Sequence, residues 1–426
     1  MDRMRGETAI VEQALSSAMR NPARAGQRPV RIRNTPAATP VFFGRSLMWI
    51  YVVFLIVLFN MTVFRGSKVL VSLFAIELGA PQFYIGLLVA LYSLFPMLLA
   101  LYAGKLSDRL GVRSPMIAGS SGLALGLSLP YFMPGLPALY ASAALIGASH
   151  VFYNVSVQNL VGTLSGTDDR TRNFTNYGLV MAAGGFFGPL TAGFSIDHYG
   201  HAASYLLLAA GPLMPVAILL FARKLGRLQL KHRAEGEQPV QAKNLLGNRP
   251  LRRTLITGAA ILTGIDLFQF YMPIYGNAIG LSASTIGVVL SMFAVASFVV
   301  RLIMPALLRR WSAETVLTWS LYAGCFIYFL FPLFESAPLL AAMSFALGLG
   351  LGCGQPLTMS LIYSRAPEGR SGEALGLRVT INNLMHIVVP IAFGTIGSAL
   401  GVAPVFIANA LLLGGGGALI GRGDKK

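Results

Sequence analysis

Three charged side chains stand near the middle of long apolar segments of the sequence. Arg65 and Lys68 lie in the segment that begins at Leu47, and Asp266 is the sole acid in the middle of any such segment. A charge at the centre of a bilayer costs about 2.5–3.5 kcal/mol, and this cost falls where opposite charges share a wet cavity or face each other. A carboxylate there can exchange a proton, and a guanidinium can hold an anionic group by two hydrogen bonds. We therefore predict that Arg65 and Asp266 flank a pathway, which Lys68 either joins or leaves by extending to the membrane surface.

Polar residues also recur at helical spacing in two other apolar segments. Each set repeats every four residues, so its members share one helix face. The two sets are His150, Asn154 and Gln158, and Arg378, Asn382 and His386. Such stripes either line a pathway or join helices by hydrogen bonds, and the sequence leaves both interpretations open. The sequence likewise does not decide whether four aromatic residues line a cavity or pack in the core: Tyr153, Phe268, Phe270 and Tyr271.

The composition favours lipid as the solvent of the chain. Hydrophobic residues make up 55% of the 426 residues and charged residues 12%, about half the charged share of a soluble protein. Twelve continuous apolar runs, numbered here as spans 1 to 12, lie at 47–77, 83–103, 113–132, 137–163, 174–195, 203–222, 251–275, 284–308, 313–334, 337–363, 373–397 and 403–421. Each is long enough for a helix to cross a hydrocarbon core of about 30 Å. Because the runs are continuous and not alternating, helices are preferred over a barrel, and we predict an all-α membrane protein with twelve transmembrane helices.

The basic residues define the orientation of these spans. The net charge is +17, and every Lys and Arg except Arg65 and Lys68 lies in a terminal tail or near alternate connections. This asymmetry predicts cytoplasmic N- and C-termini in a multi-pass plasma (inner) membrane protein, and it removes the reason to invoke nucleic acid. The tail 1–46 lacks the apolar core of a secretory signal, and we predict that it is a disordered cytoplasmic segment.

The sequence matches itself when its second half is laid on its first. Pro189 then falls on Pro390 and Gly193 on Gly394, with no gap across four spans. The difference between the two residue numbers of such a pair is constant, and we call this constant displacement the repeat shift. It predicts two six-helix bundles at 47–222 and 251–421, a cytoplasmic linker at 223–250 and a short tail at 422–426. Parallel duplication places a substrate site between the halves, near the middle of the membrane. The repeat shift also carries Arg65 onto Asp266 and Asn154 onto Gln355, which adds Gln355 to the candidate pathway residues.

The connection after span 2, "GKLSDRLGVR", resembles the signature of the major facilitator superfamily. The matching residues are Gly104, Asp108, Arg109, Gly111 and Arg113. The resemblance covers nearly all of 46–421 and implies two bundles that move by alternating access, with this motif as a cytoplasmic gate. It implies that Asp108 caps the start of span 11, while Arg109 and Arg113 pair with Asp168 or Asp169. In the mirrored segment "PALLRRWSAE" Arg309 replaces the acid, which predicts an altered second gate that uses Glu368 or Glu373.

Span 5 carries small residues in a pattern similar to the Gly–Pro element of antiporters in that superfamily. The residues are Gly184, Gly188, Pro189 and Gly193, with Ala192 where a glycine is expected. Small residues at these positions predict close packing against span 8 or a neighbour. The arginine found in span 4 of many proton-coupled exporters is replaced by Ala143, so Arg65 is left to supply a positive charge.

These observations predict a secondary transporter that exports a small organic solute in exchange for protons, with Asp266 as the protonatable group. Arg65 could instead anchor an anionic substrate. The alternatives are a proton symporter that imports an organic anion or metabolite and, more remotely, a membrane sensor without transport activity. We expect the partners to be the solute, protons and the bilayer, and we expect a monomer to be functional.

An enzyme is not predicted. The sequence offers no cluster of acids, no metal-ligand spacing, no nucleophile beside a base and no phosphate-binding glycine loop, so we expect no cofactor and no metal. The alternating glycines Gly348, Gly350, Gly352 and Gly354 of span 10 predict bending or close packing instead.

Overall fold

A computed structural model describes residues 41–164, 170–222, 245, 247–367 and 371–421. These residues are helical and include no strand. The helices that form spans 1 to 6 are Val41–Glu77, Gln82–Leu110, Arg113–Phe132, Leu136–Leu164, Arg170–Ala210 and Leu213–Phe221. Those of spans 7 to 12 are Arg249–Ala278, Ala283–Leu308, Ala313–Leu330 with the 3₁₀ turn Phe331–Leu333, Ala337–Leu351 with Gly354–Arg365, Ser371–Leu400 and Val402–Gly421. The predicted tails as far as residue 40 and from 422, and most of the linker (223–244), lie outside the described residues.

The helices differ from the predicted runs at several places, and span 1, for example, begins at Val41 and not at 47. Span 2 continues to Leu110, past the predicted end at 103, because its polar last turns can extend beyond the hydrocarbon. Span 6 is interrupted at Gly211–Pro212, where proline provides no N–H for the helix ladder. Span 10 is interrupted at Gly352–Cys353, among the glycines that predicted bending.

The described helices include ten segments that are long and apolar enough to cross a membrane. One of them, Arg172–Phe221, has 50 residues and so measures about 75 Å, more than twice the hydrocarbon thickness. Its backbone leaves the helical region at Gly200, with φ 76° and ψ 171°, so it folds into two crossings. With the 20-residue helix Arg113–Phe132 the described segments are consistent with twelve crossings, and the chain is a multi-pass integral membrane protein.

The repeat shift recurs in the packing of the two halves. Span 2 packs on span 4, and span 8 packs on span 10. In the first half a Cβ on Gly147 would lie 3.2 Å from the carbonyl oxygen of Tyr92. In the second half a Cβ on Gly348 would lie 2.5 Å from the carbonyl oxygen of Phe293. The repeat shift carries both residues of the first contact onto those of the second, so the duplication is a structural repeat. All these contacts fall in the part of the chain that begins at Met48.

The turns define two faces of the bundle. Twelve crossings return the chain to the side on which it starts, which we call the terminal face, and we call the opposite side the distal face. The distal face holds turns at Gly79 and Gly200 and, at the equivalent places in the second half, at Gly280 and Gly401, all with positive φ. A left-handed backbone favours glycine, which explains why the glycines are repeated together with the turns.

The two halves meet along two seams near the distal face. Span 5 packs on span 8, and span 11 packs on span 2. In the 5/8 seam a Cβ on Gly193 would overlap the carbonyl oxygen of Ala283. In the 2/11 seam a Cβ on Gly394 would lie 2.9 Å from the carbonyl oxygen of Gln82. Because the backbones approach so closely, a larger residue at either position would push the halves apart.

Each seam also contains a hydrogen bond that caps a helix of the opposite half. Asp197, at the distal end of span 5, accepts the backbone N–H groups of Ala283 at 3.1 Å and Ser284 at 2.9 Å. Ser398, at the equivalent place in span 11, accepts the backbone N–H of Phe83 at 2.8 Å. The first N–H groups of a helix have no partner within it, so these side chains satisfy them across the seam. The structure thus has its distal side closed at both seams.

Candidate functional site

A polar cavity lies between the two halves. Spans 1 and 2 of the first half and spans 7 and 11 of the second contribute its lining. On spans 1, 2 and 11 the lining residues are four positions apart, and on span 7 they stand at positions i, i+3 and i+4, so each set shares one helix face. They are Lys68 and Ser72, Val89 and Ser93, Asp266, Gln269 and Phe270, and His386 and Pro390. Three of the predicted pathway residues, Lys68, Asp266 and His386, are thus together at one site.

Asp266 forms an ion pair across the cavity with His386. The carboxylate Oδ2 lies 2.5 Å from the imidazole Nδ1, and the two side chains are 15% and 31% exposed. A carboxylate and an imidazole are both groups that can bind a proton, and this contact places the two side by side in the cavity lining. The sequence placed both residues on the pathway but did not predict that they contact each other.

Arg65 reaches the cavity lining from span 1 of the other half. Its Nη1 donates a hydrogen bond to the side-chain oxygen Oε1 of Gln269, at 3.1 Å. Arg65 itself is not among the residues that line the cavity with Asp266, and the partner that it directly contacts is Gln269. This bond joins span 1 to span 7 and therefore crosses between the two halves.

Lys68 lies one turn beyond Arg65 and lines the cavity. Its ammonium group is 5.5 Å from the ring centre of Phe64 and 5.9 Å from that of Tyr92, within the range of cation–π attraction. Of the two positions that the sequence left open for Lys68, the structure shows the one inside the cavity.

The two polar stripes hold neighbouring helices together. Asn154 accepts a hydrogen bond from the Tyr177 hydroxyl at 3.1 Å, which joins span 4 to span 5. Arg378 donates to the side-chain oxygen of Gln355, which joins span 11 to span 10. The repeat shift carries the first pair onto the second, so the halves repeat the position of this link while changing its chemistry. Asn382 is partly buried, one turn before His386, and outside the cavity lining.

His150 is buried in the packing of the first half. Its ring stacks on Phe64, with centres 3.7 Å apart and planes 9° from parallel. Since Phe64 also lies under the Lys68 ammonium group, His150 is linked to the cavity through that ring and does not line it. Of the four aromatic candidates, Phe270 lines the cavity, while Tyr153, Phe268 and Tyr271 are buried in the core.

The gate motif after span 2 is described only in part. Arg113 donates hydrogen bonds to the carbonyl oxygens of Leu219 at 2.7 Å and Leu220 at 2.9 Å, which lack helical partners near the end of span 6. Asp168 and Asp169, its predicted partners, lie outside the described residues, as does the side chain of Asp108. The capping of span 11 by Asp108 therefore stays a prediction.

The second half contains an ion pair at the corresponding place. Glu314, onto which the repeat shift carries Arg113, accepts a hydrogen bond from Arg365 at 2.6 Å. Arg365 also donates to the Thr254 hydroxyl at 2.6 Å. The acid in this contact is Glu314, which the sequence reasoning did not propose. Glu368, one of its two candidates, lies outside the described residues.

The small residues of span 5 serve two contacts. Gly184 and Gly188 face span 1, and a Cβ on Gly188 would lie 2.7 Å from the Cβ of Arg65. Gly193 faces span 8 in the seam described above, and the carbonyl oxygen of Pro189 lies 2.5 Å from a Cβ built on Gly287. The predicted close packing is therefore present on both sides of span 5, and one of its contacts positions the backbone of Arg65.

Sequence reasoning missed three polar residues of the cavity: Gln269, Ser72 and Ser93. Gln269 could have been found, since the repeat shift carries Lys68 onto it, just as it carries Arg65 onto Asp266. Ser72 and Ser93 gave no signal, because serine is common in apolar helices, where its hydroxyl bonds to the preceding turn, as Ser72 does with the Lys68 carbonyl at 3.0 Å.

Two matching helical bundles around a charged central cavity are the architecture of one large class of secondary transporters. Comparison with known families agrees: the chain belongs to the Major Facilitator Superfamily, whose model matches residues 53–390. It is accordingly a membrane transporter of that superfamily, with a small-molecule substrate.

Individual relatives are distant. The multidrug efflux pump LfrA of Mycolicibacterium smegmatis is 24% identical over 368 residues, which cover 73% of this chain and 73% of the pump. The quinolone resistance protein NorA of Staphylococcus aureus is 21% identical over 347 residues, covering 80% and 87%. Among solved structures, a POT family transporter in complex with 5-aminolevulinic acid superposes with a TM-score of 0.73 at 14% identity, covering 88% of this chain and 96% of that one. The structural likeness supports the fold alone.

Proposed function

We propose that this transporter exports a small organic solute across the plasma membrane in exchange for protons, by alternating access. The observation that carries the proposal is the contact between Asp266 and His386 in a cavity lined by both halves. The names of the relatives LfrA and NorA support export. The basic terminal connections support a cytoplasmic terminal face, so that the distal face would be the outer one.

The contacts support a simple cycle. Closed distal seams correspond to the stage in which the cavity takes up solute from the cytoplasm. Opening of the seams would expose Asp266 and His386 to the outer solution, from which they would take a proton as the solute leaves. Return to the described state would release that proton inside. Such a cycle needs a proton site whose occupancy depends on which side of the membrane the cavity faces.

Proton exchange can be tested with purified protein in liposomes that contain a trapped pH-sensitive dye. Candidate organic acids, amines and neutral drugs are added outside one at a time, with no initial pH gradient. Exchange predicts that entry of the transported solute makes the lumen more alkaline, because protons leave. Acidification of the lumen would support the symporter instead, and solute entry without proton movement would contradict proton coupling of either kind.

A further inference from the structure

The cavity has more fixed positive than negative charge. Lys68 lines it and Arg65 contacts its lining, whereas Asp266 is the sole acid in the middle of any span. With His386 neutral, the net charge of this group is +1, and with His386 protonated it is +2. The excess of positive charge is therefore present in both protonation states of His386.

Lys68 is a cation of the cavity lining without an ion-pair partner among the described residues. Asp266 is engaged by His386, and Arg65 by the neutral side chain of Gln269. In the described parts of the chain, no carboxylate lies within ion-pair distance of the Lys68 ammonium group, whose contacts are two aromatic rings. A cation–π contact offsets only part of the cost of removing an ammonium group from water. The site is therefore suited to a ligand that brings a negative charge.

Gln269 is oriented to assist. Its side-chain oxygen accepts the hydrogen bond from Arg65, so the amide hydrogens of Gln269 remain as donors. Lys68 and Gln269 line the same cavity from spans 1 and 7, so an ammonium group and an amide N–H₂ group are both available there as donors to a carboxylate. Val89, Phe270 and Pro390 of the same lining supply apolar and aromatic surface for the rest of the molecule.

We propose that the transported solute is an organic anion, and that its carboxylate binds to Lys68 and Gln269 while its apolar body contacts Phe270. This substrate class rests on the proposed function. Asp266 and its partner His386 are left for proton exchange, so the substrate and the proton have separate residues. A cationic solute is disfavoured, since it would add positive charge to a cavity that already has an excess.

The test is equilibrium binding to the purified protein by dialysis, without a membrane or a pH gradient. The probes are three series of equal shape, each with an acid, its amide and its amine: benzoate, 1-naphthoate and indole-3-acetate with their counterparts. We expect at least one acid to bind, and to bind about tenfold or more tightly than its amide, the gain expected from one charged hydrogen bond. Its amine should bind more weakly than the amide. Tighter binding of amines, equal binding within each series, or binding by none of the acids would overturn the proposal.

Variants locate the site. Lys68→Gln should lower the affinity for the acid about tenfold or more and leave the affinity for the amide unchanged, while Lys68→Arg should retain most of the binding. Lys105→Gln removes a lysine from an exposed position near the end of span 2 and should have no effect. An unchanged affinity in Lys68→Gln would overturn the assignment of the anchor. If that variant does not fold, the comparison of acid, amide and amine binding to the unmodified protein still tests whether the solute is an anion. Because equilibrium binding needs no gradient, a failure of the proton-exchange experiment would not contradict preferred binding of the acids. Likewise, a failure of the acids to bind would not contradict proton exchange.

Discussion

His386 contacts Asp266 through atoms 2.5 Å apart, and both residues belong to the second half of the transporter. The contact therefore stays within one rigid bundle when the halves move against each other. The hydrogen bond between Arg65 and Gln269, by contrast, joins span 1 to span 7 and crosses from one half to the other. In the proposed cycle, movement of the halves would change the surroundings of the Asp266–His386 contact without breaking it, as a proton site used in both stages requires.

Asp266→Asn should separate solute movement from proton movement. The amide keeps the size of the carboxylate but cannot bind a proton in the relevant range, so solute exchange should persist while the change in lumen pH falls to the background. The dye-loaded liposomes measure both quantities. Glu77→Gln is the matched control, because Glu77 also lies 2.5 Å from a histidine, His201, but at the exposed end of span 1. Normal proton movement in Asp266→Asn would rule out this carboxylate as the coupling group.

Gly188→Ala should impair transport through Arg65. The added methyl group would lie 2.7 Å from the Cβ of Arg65 and 2.7 Å from the carbonyl oxygen of Thr62, so span 1 must shift. Overpacking of this kind costs about 1–3 kcal/mol and would move Arg65 away from Gln269. Thermal unfolding in detergent and initial transport rates measure the two effects. Gly185→Ala is the control, since its new methyl group meets nothing closer than 3.8 Å and should be tolerated. Equal behaviour of the two variants would contradict the packing argument.

Asp197→Ala should favour opening of the distal face. It removes two hydrogen bonds to the start of span 8, and loss of a helix cap costs about 0.5–2 kcal/mol. Opening can be followed with Ser72→Cys, which places a thiol in the cavity lining, in a background with Cys325→Ser and Cys353→Ser. The measured quantity is the reaction of this thiol with a reagent that cannot cross membranes. The rate of labelling from outside intact cells should rise about twofold to thirtyfold.

The control for this experiment is the opposite seam. Ser398→Ala removes a single neutral hydrogen bond to Phe83 and should raise the labelling rate less than Asp197→Ala does. An equal or larger effect of Ser398→Ala, or no effect of either change, would show that these caps do not hold the distal face closed.

The ion pair between Glu314 and Arg365 should show coupling in a double-mutant cycle. Both side chains are about one-fifth exposed, which places the expected coupling near ~1 kcal/mol, the upper end for pairs reached by water. Arg365→Ala should destabilise the protein more than Glu314→Ala, because it also loses the hydrogen bond to Thr254. Denaturation of the four proteins in detergent provides the free energies. Additive effects of the two changes would show that the charges contribute independently.

Much of this architecture could be predicted from the sequence. The apolar runs located the spans, and the repeat shift predicted the duplication, which recurs in the turns, seams and polar links of the structure because duplication preserves both the chain register and the packing. The same shift predicted that positions 65 and 266 approach one cavity. Gln269 could also have been predicted as a cavity residue, because the repeat shift carries Lys68 onto it.

The choice of side-chain partners could not be predicted. Asp266 pairs with His386 because spans 7 and 11 are neighbours in space, which neither spacing nor composition reveals. Arg113 contacts backbone carbonyls of span 6, and such acceptors have no signature in the sequence. The interruption of span 6 has a local cause at Pro212, but apolar runs alone do not distinguish a continuous helix from a broken one.

The caps at Asp197 and Ser398 began as copies of one ancestral position and are no longer alike. On the distal face, the 5/8 seam is capped by an ionised carboxylate that dissolved cations can screen. The 2/11 seam is capped by a neutral hydroxyl that they hardly affect. We therefore expect salt to weaken the Asp197 contacts more than the Ser398 contact. Two seams that the repeat shift relates thus differ in how their strength should depend on the ionic strength of the medium.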